Sequence, residues 1–364
     1  MVSRFRGFSL GSIVNLARHS VLYRFVGVIW GHPSYGYSFM YLGSVNSVSR
    51  NVEILDSFPV DSFHTSSDFV PWAASPIRTR VRFVATDATV DTFSGRIYNS
   101  ELKFLADSSS WNVDHALLRW PAPLPRLLRG TKANVPQSVA TFIPNQTFFH
   151  FLFEDLPSLI RIAESHPETF VFIRENSHKY IYDVIDALGL RHGIAPPYLK
   201  VSKLVFESRG PALIPQKTDL QTLVKWGSSR QPSMTPSPEL IYISRRDAKR
   251  MPSNEFEVER LVERRGFEIV TLSSMTLDQQ IALFRSSALV VGTHGAGLSN
   301  LAWIDAAHMG LIEIRYLEQP DCFEILAQKK QLRYSKIESS SRADWKVDLT
   351  ALDTAIDAHM AQLP

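Results

Sequence analysis

The amino-acid sequence predicts an α/β protein of two domains, the second built on a parallel sheet covered by helices on both faces. Three observations carry this expectation. The chain has 364 residues and a hydrophobic content of 45%, enough to bury two cores. The segment 227–238 contains three prolines and four serines and separates two regions of regular apolar patterning. Beyond it, short β-branched apolar runs alternate with stretches of helical periodicity, joined by short turns, which is the pattern of a Rossmann-like sheet. The expected organisation is therefore an N-terminal α/β domain over 1–226, a linker over 227–238 and a Rossmann-like domain over 239–364.

The first 70 or so residues give no element that can be assigned. Residues 9–30 are fairly apolar and follow Arg4 and Arg6, but Asn15, Arg18, His19 and Arg24 interrupt them. Neither a membrane-spanning helix nor a secretory segment fits that pattern. A surface helix or a first strand does, and a face formed by Ile13, Leu16 and Ala17 above the arginines leaves room for peripheral contact with a membrane. From about residue 75 a first α/β domain becomes legible, with strands expected at 81–84, 138–142, 170–173 and 204–206 and helices at 147–165 and 180–188.

In the second half each element has its own signal. Residues 240–244 form a buried strand, and Asn254 with Glu257 reads as a capping box that opens a helix stopped by Gly266. A strand follows at 267–272. Thr276 and Gln279 form a second capping box, and Leu277, Ile281 and Phe284 recur at helical spacing. Further strands are expected at 288–291, 311–314 and 332–337, with helices at 298–307 and 321–330.

Composition narrows the function. The 39 basic and 36 acidic side chains leave a formal charge of only +3, so an anion must be held at a local site and nucleic-acid binding is not indicated. The single cysteine, Cys322, excludes an intramolecular disulfide and a cysteine-based zinc cluster, and it suits a reducing compartment.

Three constellations could carry chemistry. In residues 290–300 (VVGTHGAGLSN) a strand ends, Gly295 and Gly297 permit a tight turn, and a helix begins; free N–H groups and a helix dipole would converge there as a phosphate cradle. Glycines needed only to pack helix on strand would give the same local sequence. Arg245 and Arg246 also follow a predicted strand of that sheet, where open α/β folds bind ligands, and guanidinium groups grip diphosphates; solvated surface charges are the plainer reading. Residues 148–157 (FFHFLFEDLP) carry His150, Glu154 and Asp155 in a very apolar helix start. His150 and Glu154 share a helical face, where they could transfer protons or simply satisfy each other. Glu313 lies in an apolar strand and could accept hydrogen bonds from a ribose or pair with Arg246 or Arg315. No Asp-x-Asp occurs in the chain, which fits a reaction that uses arginines and a helix end in place of a metal ion.

Taken in order, these motifs resemble glycosyltransferase family 61: HFLFEDLP at 150–157, IYISRRD at 241–247 with Asn254 and Glu255 following, LDQQIALF at 277–284, GTHGAGLSN at 292–300 and IEI at 312–314. The resemblance covers roughly 138–340. The chain departs from the family where a Pro-Gly commonly precedes the last strand, since it has AHMG at 307–310, and where Ser158 stands after Pro157 in place of a common arginine. The resemblance implies a GT-B-like pair of Rossmann-like domains facing across a cleft and an inverting, metal-independent transfer from a nucleotide-sugar donor to a glycan or lipid-linked glycan acceptor. Glu154 or Asp155 would be the base with His150 orienting it, or His150 would serve itself. Arg245, Arg246, His294, Gly295, Ala296, Gly297, Asn300 and Glu313 would bind the nucleotide sugar. No cofactor and no nucleic-acid partner is implied, and the expected setting is a cytoplasmic enzyme of surface-polysaccharide synthesis, with room for a peripheral place at the inner membrane face. The rival readings are a nucleotide-sugar epimerase or phosphorylase and an inactive sugar-binding scaffold.

Overall fold

A computed structural model of the chain describes residues 52–59, 79–92, 95–100, 131–132, 139–208, 213–230, 239–248, 251–305, 309–339 and 345–363. Residues 9–30, read above as a surface or interfacial segment, lie outside the described residues, as does 231–238 of the expected linker. The chain divides into two compact units. The described residues up to Gln146 and from Ser158 to Ser208 form the first; Thr147–Pro157 and the described residues from Leu213 onward form the second. The division therefore differs from the expected one at two places: the start of the 147–165 helix and the residues just before 227 both pack with the second unit.

The first unit is a mixed sheet. Its strands are β1 (Val52–Pro59), β2 (Thr79–Asp91), β3 (Arg96–Tyr98), β4 (Thr131–Lys132), β5 (Ala140–Phe142), β6 (Phe170–Ile173), β7 (Arg191–Ile194) and β8 (Tyr198–Glu207). The main order is β1-β2-β8-β5-β6-β7, antiparallel on the β1, β2 and β8 side and parallel from β8 through β7. Phe83, Ala85, Val90, Phe142, Leu204 and Phe206 fill its core. Helices α1 (Leu156–Ser165) and α2 (Lys179–Ala187) match the helical periodicities of the sequence. The buried carboxylate of Glu207 holds the guanidinium of Arg161, with Arg80 at 3.8 Å and Arg82 at 3.5 Å, so an ionised group in the core is matched by charge and hydrogen bonds.

The second unit fulfils the expectation of a parallel sheet. Its elements are α3 (Lys217–Ser229), β9 (Leu240–Ile243), α4 (Glu255–Arg264), β10 (Glu268–Val270), α5 (Leu277–Ser286), β11 (Leu289–Thr293), a 3₁₀ helix (Ala296–Trp303), β12 (Gly310–Tyr316), α6 (Cys322–Lys330), β13 (Arg333–Ser339) and α7 (Leu349–Met360). The five strands run in the order β10-β9-β11-β12-β13, every pair parallel. Tyr242, Leu289, Val291, Ile312 and Ile314 pack with α4 and α7 on one face. The alternate residues Ile241, Ile243, Val290 and Leu311 are buried as well, so both faces are covered.

Two capping expectations divide. The Thr276–Gln279 box forms as read, with Gln279 N–H donating to Thr276 Oγ1 and Thr276 N–H to Gln279 Oε1. Asn254 precedes α4 without capping it. Its side-chain amide instead pairs with both backbone groups of Val347 at 2.9 Å, because a two-sided bond to a neighbouring segment satisfies two buried groups where a cap would satisfy one. The helix expected at 298–307 is the shorter 3₁₀ segment ending at Trp303.

Candidate active site at the switch point of the second sheet

Strand order decides where a ligand can sit. In the second unit the chain first lays down β9, moves outward to β10, then crosses back to β11 on the other side of β9. Between β9 and β11 the connections leave in opposite directions, and the strand ends there form the crevice that open α/β sheets use for ligands. The residues that follow β9 are Ser244, Arg245 and Arg246; those that follow β11 are His294 and Gly295. The topology brings the two separately read motifs to one place.

Contact geometry agrees. A Cβ placed on Gly295 would lie 2.8 Å from Nη1 and 3.1 Å from Cζ of Arg245, so the guanidinium rests directly on the glycine. Gly292 is held close by Ile243 and Leu298, and a Cβ on Gly297 would lie 3.0 Å from Leu272. Gly295 is buried, Ala296 exposed and Gly297 half-buried, which leaves the loop's outer edge open beside a cation.

Two glutamates of α4 fix the arginine segment. Glu255 Oε1 accepts the N–H of Arg245 at 2.8 Å, and Glu259 Oε1 accepts the hydroxyl of Ser244 at 2.8 Å. Glu259 also pairs with the guanidinium of Arg246, which stacks over Phe256 at 5.1 Å and is half exposed. Arg246 is thus engaged with α4, whereas Arg245 faces the glycine loop. Burial pushes the Glu255 carboxyl up from its ordinary range, and burial with Glu255 beside it pushes the Tyr242 phenol well up. The sequence reading names Glu255 only as part of the motif that follows the strand, without this role, and does not single out Glu259. Their spacing of four on one helix face directly after the strand is the signal that could have found them.

His294 is backed by a buried chain. Its Nδ1 lies 2.5 Å from Oε1 of Glu313, whose Oε2 accepts the hydroxyl of Tyr334 at 2.6 Å. A carboxylate only accepts, so Nδ1 carries the hydrogen and Nε2 is the variable nitrogen. Glu313 has no solvent exposure. It holds His294 and Tyr334, and its charge also acts on Arg315, one of the partners read from the sequence, because a carboxylate in the middle of a sheet needs its partners within the core. Burial, reinforced by Glu313, pushes the Tyr334 hydroxyl far above its usual range, so it remains a donor. Asn300 is also fully buried: its amide donates to Gln280 and to the carbonyl of Gly297 and accepts from Trp303. It shapes the loop from inside.

The 147–165 helix is not uniform. Phe148–His150 is α-helical, Phe151–Asp155 winds as a π-helix and Leu156–Ser165 resumes the α form. One wide turn inside a helix is a recurrent device for re-aiming side chains at functional sites. His150 Nδ1 lies 2.5 Å from Glu154 Oε1; the His150 side chain is 25% exposed and that of Glu154 only 8%. Asp155 is buried. The opening turn packs against the 3₁₀ helix, and the ring of Phe323 stands edge-on to Phe149 at 5.7 Å and to His294 at 5.0 Å. Within the second unit, Phe323 therefore joins His294 to Phe149, the chain neighbour of His150. Phe323 was not foreseen, since nothing in α6 marks one phenylalanine among many.

A parallel α/β sheet with charged and glycine-lined strand ends at its switch point has its open crevice where such folds hold their ligands. Residues 148–310 match the model of the family Glycosyltransferase 61, so this stretch of the chain is similar to that family. The EGF domain-specific O-linked N-acetylglucosamine transferase of Drosophila melanogaster is 29% identical over 98 residues, which are 26% of this chain and 19% of that protein. The chain thus aligns with about a fifth of the length of this curated relative. The iron-containing dodecameric glycosyltransferase TibC of enterotoxigenic E. coli H10407 aligns at 10% identity with a TM-score of 0.34, over 82% of this chain and 98% of that one. A score that low leaves the fold comparison without weight. Among the described residues, no helix is long and apolar enough to cross a membrane.

Proposed function

We propose that the protein is an inverting glycosyltransferase that takes its sugar from a nucleotide-sugar donor and passes it to a hydroxyl of a glycan acceptor, without a metal ion. The observation that carries this reading is the Arg245 guanidinium resting on Gly295 at the switch point, beside a histidine locked by Glu313. A departing diphosphate there meets a fixed cation and the N–H groups of a glycine loop, both in place before charge develops, which is how leaving-group charge is stabilised most effectively. The GT-B-like architecture and a role in surface polysaccharide synthesis at the cytoplasmic face belong to the same reading and rest on the family resemblance.

His150 acts as the base in this account, and Glu154 orients it. Of the pair, the imidazole is the more exposed, while the carboxylate lies on Nδ1, and in this account Nε2 takes the acceptor proton. Asp155 is buried at the end of the π turn.

The test is a transfer assay over a panel of nucleotide sugars. His150→Ala and Glu154→Gln should each lower kcat by roughly 10²–10⁴-fold, the range for loss of a positioned base, with donor affinity unchanged. Full turnover in both variants would remove the assignment. Conversion of the donor with no acceptor present would point to an epimerase, and a folded protein that binds no nucleotide would point to a scaffold.

A further inference from the structure

Helix α4 carries part of its first two turns the wrong way round for a surface helix. Glu255 and Glu259 are buried, where they hold Ser244, Arg245 and Arg246, while Phe256 stands outward with 60% of its surface exposed. Burial of carboxylates and exposure of a phenyl ring both run against the ordinary partition of side chains. The strand end that they fix explains the two glutamates. Packing does not explain Phe256, which has no part in the apolar core beneath α4. A local rule broken without a packing gain is expected where function requires it.

The exposed ring is nevertheless held in place. The Arg246 guanidinium lies over it, 5.1 Å from the centroid, and the buried carboxylate of Glu259 fixes that guanidinium by an ion pair. The Arg246 N–H donates to Ser244 Oγ at 3.2 Å, so the main chain is anchored as well. With a cation on one side and most of its surface exposed, the ring has room for a second flat partner. Its position suits one in particular. Successive residues leaving a strand point to opposite sides, so Arg245 reaches the Gly295 loop while Arg246 turns to α4 and Phe256. The glycine loop and the ring therefore flank the end of β9, and a ligand lying along the strand ends of an open α/β sheet passes from one to the other.

We propose that Phe256 is the platform on which the nucleobase of the donor stacks while its diphosphate lies against Arg245 and the Gly295 loop. This inference rests on the reading of the switch point as a nucleotide-sugar site and adds the residue that holds the base. Stacking tolerates any base, because each has a π face, so Phe256 sets affinity for the nucleoside and not the choice among bases.

Calorimetric titration of wild type, Phe256→Leu, Phe256→Tyr and Arg245→Ala with uridine, guanosine, adenosine and cytidine diphosphates, and with inorganic pyrophosphate, tests the proposal. The diphosphate that binds wild type should bind Phe256→Leu at least about fivefold more weakly, the low end of base–aromatic stacking, and Phe256→Tyr should restore it. Pyrophosphate, which has no base, should bind wild type and both Phe256 variants alike. Unchanged nucleotide affinity in Phe256→Leu, no recovery in Phe256→Tyr, or a parallel loss of pyrophosphate binding overturns the platform. Weakening in Arg245→Ala without weakening in Phe256→Leu strikes the platform alone and leaves the nucleotide site standing. Absence of nucleotide binding by wild type strikes both.

Discussion

A methyl group at position 295 would come 2.8 Å from the end of the Arg245 side chain, closer than carbon and nitrogen approach without one moving. The backbone there is extended and accepts any residue, so the constraint is space alone. Because the obstacle is the far end of a flexible side chain, Gly295→Ala should change the thermal midpoint little while displacing the guanidinium from the loop. We expect a nucleoside diphosphate to bind it roughly tenfold or more weakly, the loss of one charge-assisted contact. Unchanged affinity in Gly295→Ala would show that Arg245 does not meet the phosphates. A companion prediction concerns the buried chain behind His294. Tyr334→Phe leaves the Glu313 carboxylate one donor short inside the core, and loss of such a bond costs about 1–3 kcal/mol. The expected result is a lower midpoint in urea unfolding; a midpoint equal to wild type would mean that the hydroxyl contributes nothing.

At the scale of elements, β12 and α7 meet at a point without slack. A Cβ on Gly310 would fall 2.5 Å from Nδ1 of His359 and 2.7 Å from Cδ1 of Leu289, both buried. Gly310→Ala should therefore destabilise by about 1–3 kcal/mol, the usual range for overpacking, where Gly189→Ala is strained only by its positive φ and meets no atom within 4 Å. Equal unfolding midpoints for wild type and Gly310→Ala would contradict this packing. His359 adds a pH term. Burial, and then the nearby Arg333, draws its imidazole below the ordinary 6.5, so the folded state favours the neutral ring. As pH falls through the ordinary value, the unfolded chain takes up the proton first and this contribution is lost; above about 7 it is fully present. Between pH 7 and 5 wild type should lose more stability than His359→Gln, and identical slopes would refute the assignment.

Legibility followed the same physics. The strands β6, β9, β11 and β12 were readable because they are short, apolar and β-branched, and α5 because both its capping box and its spacing lie within ten residues. Helix α3 was missed because its polar residues outnumber the apolar ones that mark a face. Strand β7, with the half-exposed sequence RHGI, has no apolar run at all. In the site, Arg245 and the glycine loop were legible as local motifs. Their meeting depends on strand order, and the burial of Glu313 and Asn300 depends on partners far along the chain, neither of which a local pattern records.

For the whole molecule, the helix that begins at Phe148 starts among the residues of the second unit and continues into the first, with the change at Pro157–Ser158. The division expected at the proline-rich segment places His150, Glu154 and Asp155 in the N-terminal domain. Contacts with the 3₁₀ helix and Phe323 place them with the sheet that carries Arg245 and His294. On the proposed reading, base and leaving-group stabiliser are then parts of one folded unit, and the donor must lie on that unit's strand ends.

That requirement is best tested by calorimetric titration of uridine, guanosine, adenosine and cytidine diphosphates into wild type and Arg245→Ala, with a chelator present throughout. The account predicts that one of the four binds wild type without added metal and that Arg245→Ala weakens it by about tenfold or more, the cost of a lost charge-assisted contact. Equal affinity in the two proteins, or binding by wild type only after a divalent metal is restored, would contradict it.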